Sequence, residues 1–87
     1  LTNILYQNHP NPFVEETVIR FYLAYGGPAT LSLQDGLGRT LQVMQATLSA
    51  GYHEYRVRSR ELGMTGVVTY TLRCGEYTAS KRMIVVE

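Results

Sequence analysis

Thr17-Val18-Ile19-Arg20-Phe21-Tyr22-Leu23 sets the fold class: Ile19, Phe21 and Leu23 alternate with Arg20 and Tyr22. A period of two places alternate side chains on opposite faces of a strand. The same rhythm continues outward from this run. Gly26-Gly27-Pro28 breaks it, and Ala29, Leu31 and Leu33 then alternate with Thr30, Ser32 and Gln34. Asp35-Gly36-Leu37-Gly38 reads as a turn, with glycines available for positive φ. Thr40 to Leu48 forms a third extended run, although its Gln and Ala content makes a helix arguable there. After Ser49-Ala50-Gly51, His53, Tyr55 and Val57 alternate with Glu54, Arg56 and Arg58. Residues 63–66 interrupt; Val68, Tyr70, Leu72 and Cys74 then share one face. Gly75-Glu76 is a tight turn, and residues 77–86 make the last run. Six strands are expected, with a short seventh at residues 4–6. Turn signals at every break give the signature of a sandwich or barrel, and the expectation is a two-sheet antiparallel β-sandwich. No window keeps a helical period. The expected core is Ile19, Phe21, Leu23, Leu31, Leu33, Tyr55, Val57, Tyr70 and Leu72.

Ahead of the first strong run lies Leu5-Tyr6-Gln7-Asn8-His9-Pro10-Asn11-Pro12-Phe13. Pro10 and Pro12 each fix φ and lack an N–H donor. Both also push the preceding residue, His9 or Asn11, toward extended conformations. Asn8 and Asn11 can fold their side chains onto nearby amides. The segment is expected to be a stiff, polar, extended lead-in, anchored by Leu5 and Phe13. Residues 1–16 form this lead-in, and residues 17–87 the sandwich of a single domain.

The chain has 87 residues, 45% of them hydrophobic, and a net charge of +1. That is enough for one thin core and too little for a core plus a deep cavity. The apolar content argues against disorder, and no run is long enough to span a membrane as a helix. The seven Arg and one Lys are nearly balanced by acids, so the basic excess expected of a nucleic-acid binder is missing. Cys74 is the only cysteine and has no internal disulfide partner. The chain opens on Leu1 without a signal-peptide pattern and is expected to be the end piece of something longer, with room for export signals upstream.

Residues capable of chemistry are scattered. His9 and His53 are the only histidines, and a metal site or triad would need them to meet. His53 shares a face with Tyr55 and Val57 and is expected to pack there half-buried. Glu15-Glu16 reads as a solvated turn, and Asp35 as a turn residue. Arg56, Arg58 and Arg60 fall on one face of one strand, as a solvent-facing surface or a dock for an acidic partner. Seven tyrosines allow a sugar-binding platform if Tyr22, Tyr25 or Tyr52 is exposed. Cys74 is expected to be a buried small hydrophobe. No phosphate cradle, Gly-x-Ser-x-Gly or His-Glu-x-x-His is present. No catalytic, cofactor-binding or metal-ligating residue is therefore assigned.

The head, followed by Thr17-Val18-Ile19-Arg20-Phe21, resembles the opening of type A C-terminal sorting domains of the type IX secretion system. That family reads Leu-x-Gln-Asn-Tyr-Pro-Asn-Pro-Phe, a short polar stretch, then Thr-x-Ile-x-Phe. Leu31-Ser32-Leu33-Gln34-Asp35-Gly36-Leu37-Gly38-Arg39 resembles its Val-x-Leu-x-Val-Tyr-Asp-x-x-Gly-Arg. Leu48-Ser49-Ala50-Gly51-Tyr52-His53 resembles its Leu-x-x-Gly-x-His. The stretch from Leu62 through Gly66 and Tyr70 to Leu72 resembles Leu-x-x-Gly-x-Tyr-x-Tyr-x-Leu. Gly75 through Lys81-Arg82-Met83-Ile84-Val85-Val86 resembles the closing Gly, basic pair and hydrophobic run. The chain departs from the family at Val14-Glu15-Glu16, Arg58-Ser59-Arg60, Val68 and Glu87.

The resemblance implies an immunoglobulin-like sandwich of about seven strands and a non-enzymatic secretion signal. Such domains end large exported proteins of Bacteroidetes-like bacteria. The host protein, upstream in the same chain, would pass through the periplasm. The outer-membrane translocon would then read the folded domain and deliver the host to the cell surface or medium. A sortase-like protease commonly removes the domain. The family head maps to Leu5, Gln7, Asn8, Pro10, Asn11, Pro12 and Phe13. The translocon-read positions map to Gly66, Tyr70, Gly75, Lys81, Arg82, Val85 and Val86. The expectation is a monomer without cofactor, nucleic acid or transmembrane segment. The alternatives are a carbohydrate-binding accessory module and a structural spacer. A sorting domain is expected to end its gene product near Glu87, whereas the alternatives could be internal.

Overall fold

The computed structural model describes residues 2–87 and is an all-β, immunoglobulin-like antiparallel sandwich. The strands are β1 (Ile4–Leu5), β2 (Glu16–Leu23), β3 (Gly27–Gln34), β4 (Thr40–Leu48), β5 (Gly51–Arg58), β6 (Gly66–Cys74) and β7 (Tyr77–Val85). One sheet has the order β1-β2-β5 and the other β4-β3-β6-β7. The chain therefore changes sheet after β2, after β4 and after β5, and makes hairpins within the second sheet at β3-β4 and β6-β7.

The alternation decides which side of each strand is dry. Ile19, Phe21 and Leu23 face Leu31, Leu33, Val68, Tyr70 and Leu72 across the sandwich, all fully or almost fully buried. Tyr55, on the inner face opposite Ile19, is only half-buried because β5 is an edge strand. Cys74 is likewise half-buried, at the hairpin end of β6, rather than enclosed. Met83 and Val85 of β7 complete the interior.

Thr40–Leu48 is a strand, and it carries the one irregularity in the ladders of the described residues. Leu31 pairs with Met44 while Ser32 pairs with Gln42, so Val43 is an extra residue. Such a bulge bends an edge strand and discourages pairing with another chain. It also lets Val43 and Met44, neighbours in sequence, both lie half-buried against the core.

Two local expectations are corrected. Glu16 is not in a solvated turn but opens β2, opposite Arg58, and its carboxylate pairs with Arg56 and Arg58. Arg60 does not extend the face made by Arg56 and Arg58. The strand stops at Arg58, and Arg60 sits in a 3-10 turn, Ser59–Glu61.

Asp35 fills the turn role. Its Oδ1 accepts the amides of Leu37 (3.0 Å) and Arg39 (2.9 Å), and its Oδ2 accepts Arg39 Nε (2.6 Å). Burial alone would push this carboxyl up. The Arg39 guanidinium and the two amides outweigh it and hold the group below the usual carboxylate range. A depressed acid stabilises the fold above its unfolded pKa, about 3.9, and that contribution disappears as pH falls through the lower folded value. Asp35→Ala should therefore lower the thermal midpoint at pH 7. The gap to the parent chain should narrow under strongly acid conditions, as followed by circular dichroism across a pH series.

Candidate functional site

The polar head is built into the sandwich. Leu5 pairs opposite Phe21 through β1, and His9 makes an isolated bridge to Val18. Leu5, Asn8 and Phe13 are buried. Both X-Pro bonds of the head are cis. Asn8 Nδ2 donates to Thr17 Oγ1 (3.0 Å) and to the Pro10 carbonyl (3.2 Å), which also accepts Thr17 Oγ1 at 2.7 Å. This is the local closure expected of an Asn in a proline-punctuated loop. Pro10 and Pro12 themselves stay exposed.

From this loop the head reaches across to the opposite sheet. In an antiparallel ladder the backbone groups of alternate residues point away from the paired strand. On β7 those of Arg82 and Ile84 do so, and the head receives them. Gln7 Nε2 donates to the Arg82 carbonyl (2.7 Å). The Ile84 amide donates to Asn11 Oδ1 (2.8 Å), and the Ile84 carbonyl accepts the Phe13 amide (3.0 Å). Just past the strand, the Val86 amide donates to the Phe13 carbonyl at 2.9 Å. Phe13 and Val85 form a parallel bridge. A segment rich in proline and asparagine thus covers the final part of an edge strand, using side-chain groups where prolines cannot supply backbone donors.

Tyr70 is the interior pivot of this closure. Its hydroxyl donates to the Tyr6 carbonyl (2.8 Å) and accepts the Asn8 amide (2.9 Å). Burial pushes the phenol up to about 12, against the opposing effect of the Asn8 N–H.

The positions tied to recognition by resemblance divide into two groups. Tyr70 and Val85 are interior, out of reach of a partner in the folded domain. Gly66, Gly75, Lys81, Arg82 and Val86 are exposed. Gly75 has φ 61° in the two-residue β6-β7 turn, a left-handed position that favours glycine.

Val67 and Ile84 extend the exposed group and were not singled out by sequence. They pair across β6 and β7, and with Val86 they remain exposed on the outer side of the sheet. A signal was present. Val67-Val68 and Ile84-Val85-Val86 are consecutive apolar residues, and a strand in a two-layer sandwich can bury only alternate ones.

The residues capable of chemistry stay apart. His53 stacks on Phe21 with ring centroids 5.5 Å apart, and its Nε2 lies 2.7 Å from the Ser49 carbonyl. His9 is exposed in the head. No group of three or more His, Cys, Asp and Glu among the described residues is placed to hold a metal ion. No helix among them is long and apolar enough to cross a membrane.

No family model matches the chain, and no curated protein or solved structure matches it.

Proposed function

We infer that this chain is a non-catalytic sorting module. It would direct a larger host protein, carried in the same polypeptide, through the outer-membrane translocon of a type IX system. The host would pass through the periplasm to the cell surface or medium, and a sortase-like protease would then remove the module. One observation carries this reading beyond the sequence resemblance. Two of the stretches that carry the resemblance, the head and the closing run, lie at opposite ends of the sequence yet join in one hydrogen-bonded unit. Beside this junction Arg82, Ile84, Val86 and Val67 offer a mixed basic and apolar surface. A partner groove could read these side chains without unfolding the module.

The test is export of a periplasmic reporter fused ahead of the chain, in a bacterium with a type IX system that exports domains of this kind. The fusion should reach the surface or medium. Deleting residues 81–87 should trap it, through lost recognition or lost folding. Lys81→Ala with Arg82→Ala separates these causes. Both side chains are exposed, and surface changes of this kind usually alter stability by no more than about 0.5 kcal/mol. Reduced export of a folded double variant supports direct reading of the strand. Unchanged export in both variants would sink the proposal.

A further inference from the structure

The outer face of the β1-β2-β5 sheet carries a feature that the sorting reading does not use. Tyr6, Gln7, His9, Val18, Arg20 and Tyr52 line an open groove of about 500 Å³, within the usual range for small-ligand sites. Arg20 and Tyr52 also border a second hollow of about 470 Å³, with His53 and Glu54 on its other side. Tyr52 is 73% exposed and stands between the two. Its ring is braced edge-on by Tyr22, with centroids 4.8 Å apart and planes at 60°. This edge-on contact leaves most of the Tyr52 ring facing solvent as an aromatic wall. Tyr6 is half-buried beside it, its phenol pushed up by burial and by the neighbouring Tyr52 hydroxyl.

The polar groups around that wall define the ligand. Arg20 and Glu54 pair across β2 and β5 at 3.1 Å, on the exposed face. An exposed pair of this kind contributes little to stability. It does present guanidinium donors and carboxylate acceptors side by side with no net charge. Gln7 directs its Nε2 toward Asn8 Oδ1 and the Arg82 carbonyl, which leaves Oε1 as an acceptor. His9 and the phenols add groups able to donate or accept. Vicinal hydroxyls on an otherwise apolar ring match this set, because each hydroxyl both donates and accepts. A carboxylate or phosphate matches less well, because Arg20, the arginine lining the groove, is already paired with Glu54.

We propose that this face binds a neutral glycan, one pyranose ring stacking on Tyr52 while its hydroxyls engage the Arg20–Glu54 pair and the Gln7–His9 bank. The two hollows on either side of Tyr52 accommodate successive sugar units. This site shares Gln7 with the head–tail junction and otherwise uses different residues, and neither proposal depends on the other.

The test is NMR titration of the isotope-labelled 87-residue chain with cellotetraose, maltotetraose, chitotetraose and tetragalacturonate. At least one neutral oligosaccharide should give saturable shifts centred on Tyr6, Arg20 and Tyr52. Tyr52→Ala should weaken that binding by about tenfold or more, as truncating an aromatic anchor commonly does. Tyr52→Phe should retain most of it. Tyr25→Ala, at a tyrosine 79% exposed but outside both hollows, should leave it unchanged. Equal unfolding midpoints for the variants keep the comparison clear of folding effects. Absence of saturable shifts with all three neutral sugars overturns the proposal. So does binding confined to tetragalacturonate, or shifts centred elsewhere.

Discussion

Replacing Phe13 by alanine is expected to lower the unfolding free energy by about 3–5 kcal/mol, as much as replacing Phe21. The two positions differ in every local respect. Phe21 lies mid-strand in β2, 1% exposed, with His53 stacked on its ring. Phe13 lies in an irregular segment flanked by Pro12 and Val14, yet is 2% exposed. Its backbone bonds to Ile84 and Val86 persist in the alanine variant, so the loss isolates the buried ring and the cavity it leaves. Urea denaturation of both variants checks the expectation. A cost near zero at Phe13 with a full cost at Phe21 would mean that the head is a loose leader, and the closure over β7 would fall with it.

Tyr70→Phe is expected to cost about 1–3 kcal/mol at neutral pH, since the Asn8 amide and the Tyr6 carbonyl lose their common partner in the interior. The variant should also change the alkaline limb of the stability curve. The folded phenol titrates at about 12, above its ordinary value near 10. A phenol raised in the folded state contributes stability that is intact below pH 10 and is lost as pH climbs toward 12. Two units correspond to a few kcal/mol, on the order of 2–3. The parent chain should therefore lose stability over that window, and Tyr70→Phe should lose less. Parallel slopes for the two proteins between pH 10 and 12 would contradict the assignment.

The contrast between Phe21 and Phe13 also marks what can be read from the residues. Ile19, Phe21, Leu23, Leu31, Leu33, Val57, Tyr70 and Leu72 follow from alternation, because burial on one face of a strand leaves a period of two. Tyr55 follows the same rule and is only half-buried, because alternation gives the face and not the strand's place in the sheet. At Val43 the rule breaks, since an inserted residue shifts the phase of everything beyond it. The cover over β7 was not legible. Asn11 and Gln7 bind backbone groups more than seventy residues away, and a polar side chain carries no periodic trace of such a partner. The Tyr6–Tyr52 groove escaped for a related reason. Tyr22 and Tyr52 stood out as candidates for exposure, but Tyr6 belongs to the head and joins them only once β1 lies beside β2.

The hydrogen bonds between the head and β7 span 75 and 73 residues. Synthesis proceeds from the amino end, so the head emerges long before its counterpart exists. Until residues 82–86 have left the ribosome, Asn11 has no amide to accept, Phe13 no wall to close it in, and the second sheet no seventh strand. Contacts so distant along the chain also form slowly, because the intervening loop must first be closed. The domain is thus held back from its native state until nearly all of it has been made, and the growing chain stays pliable up to that point.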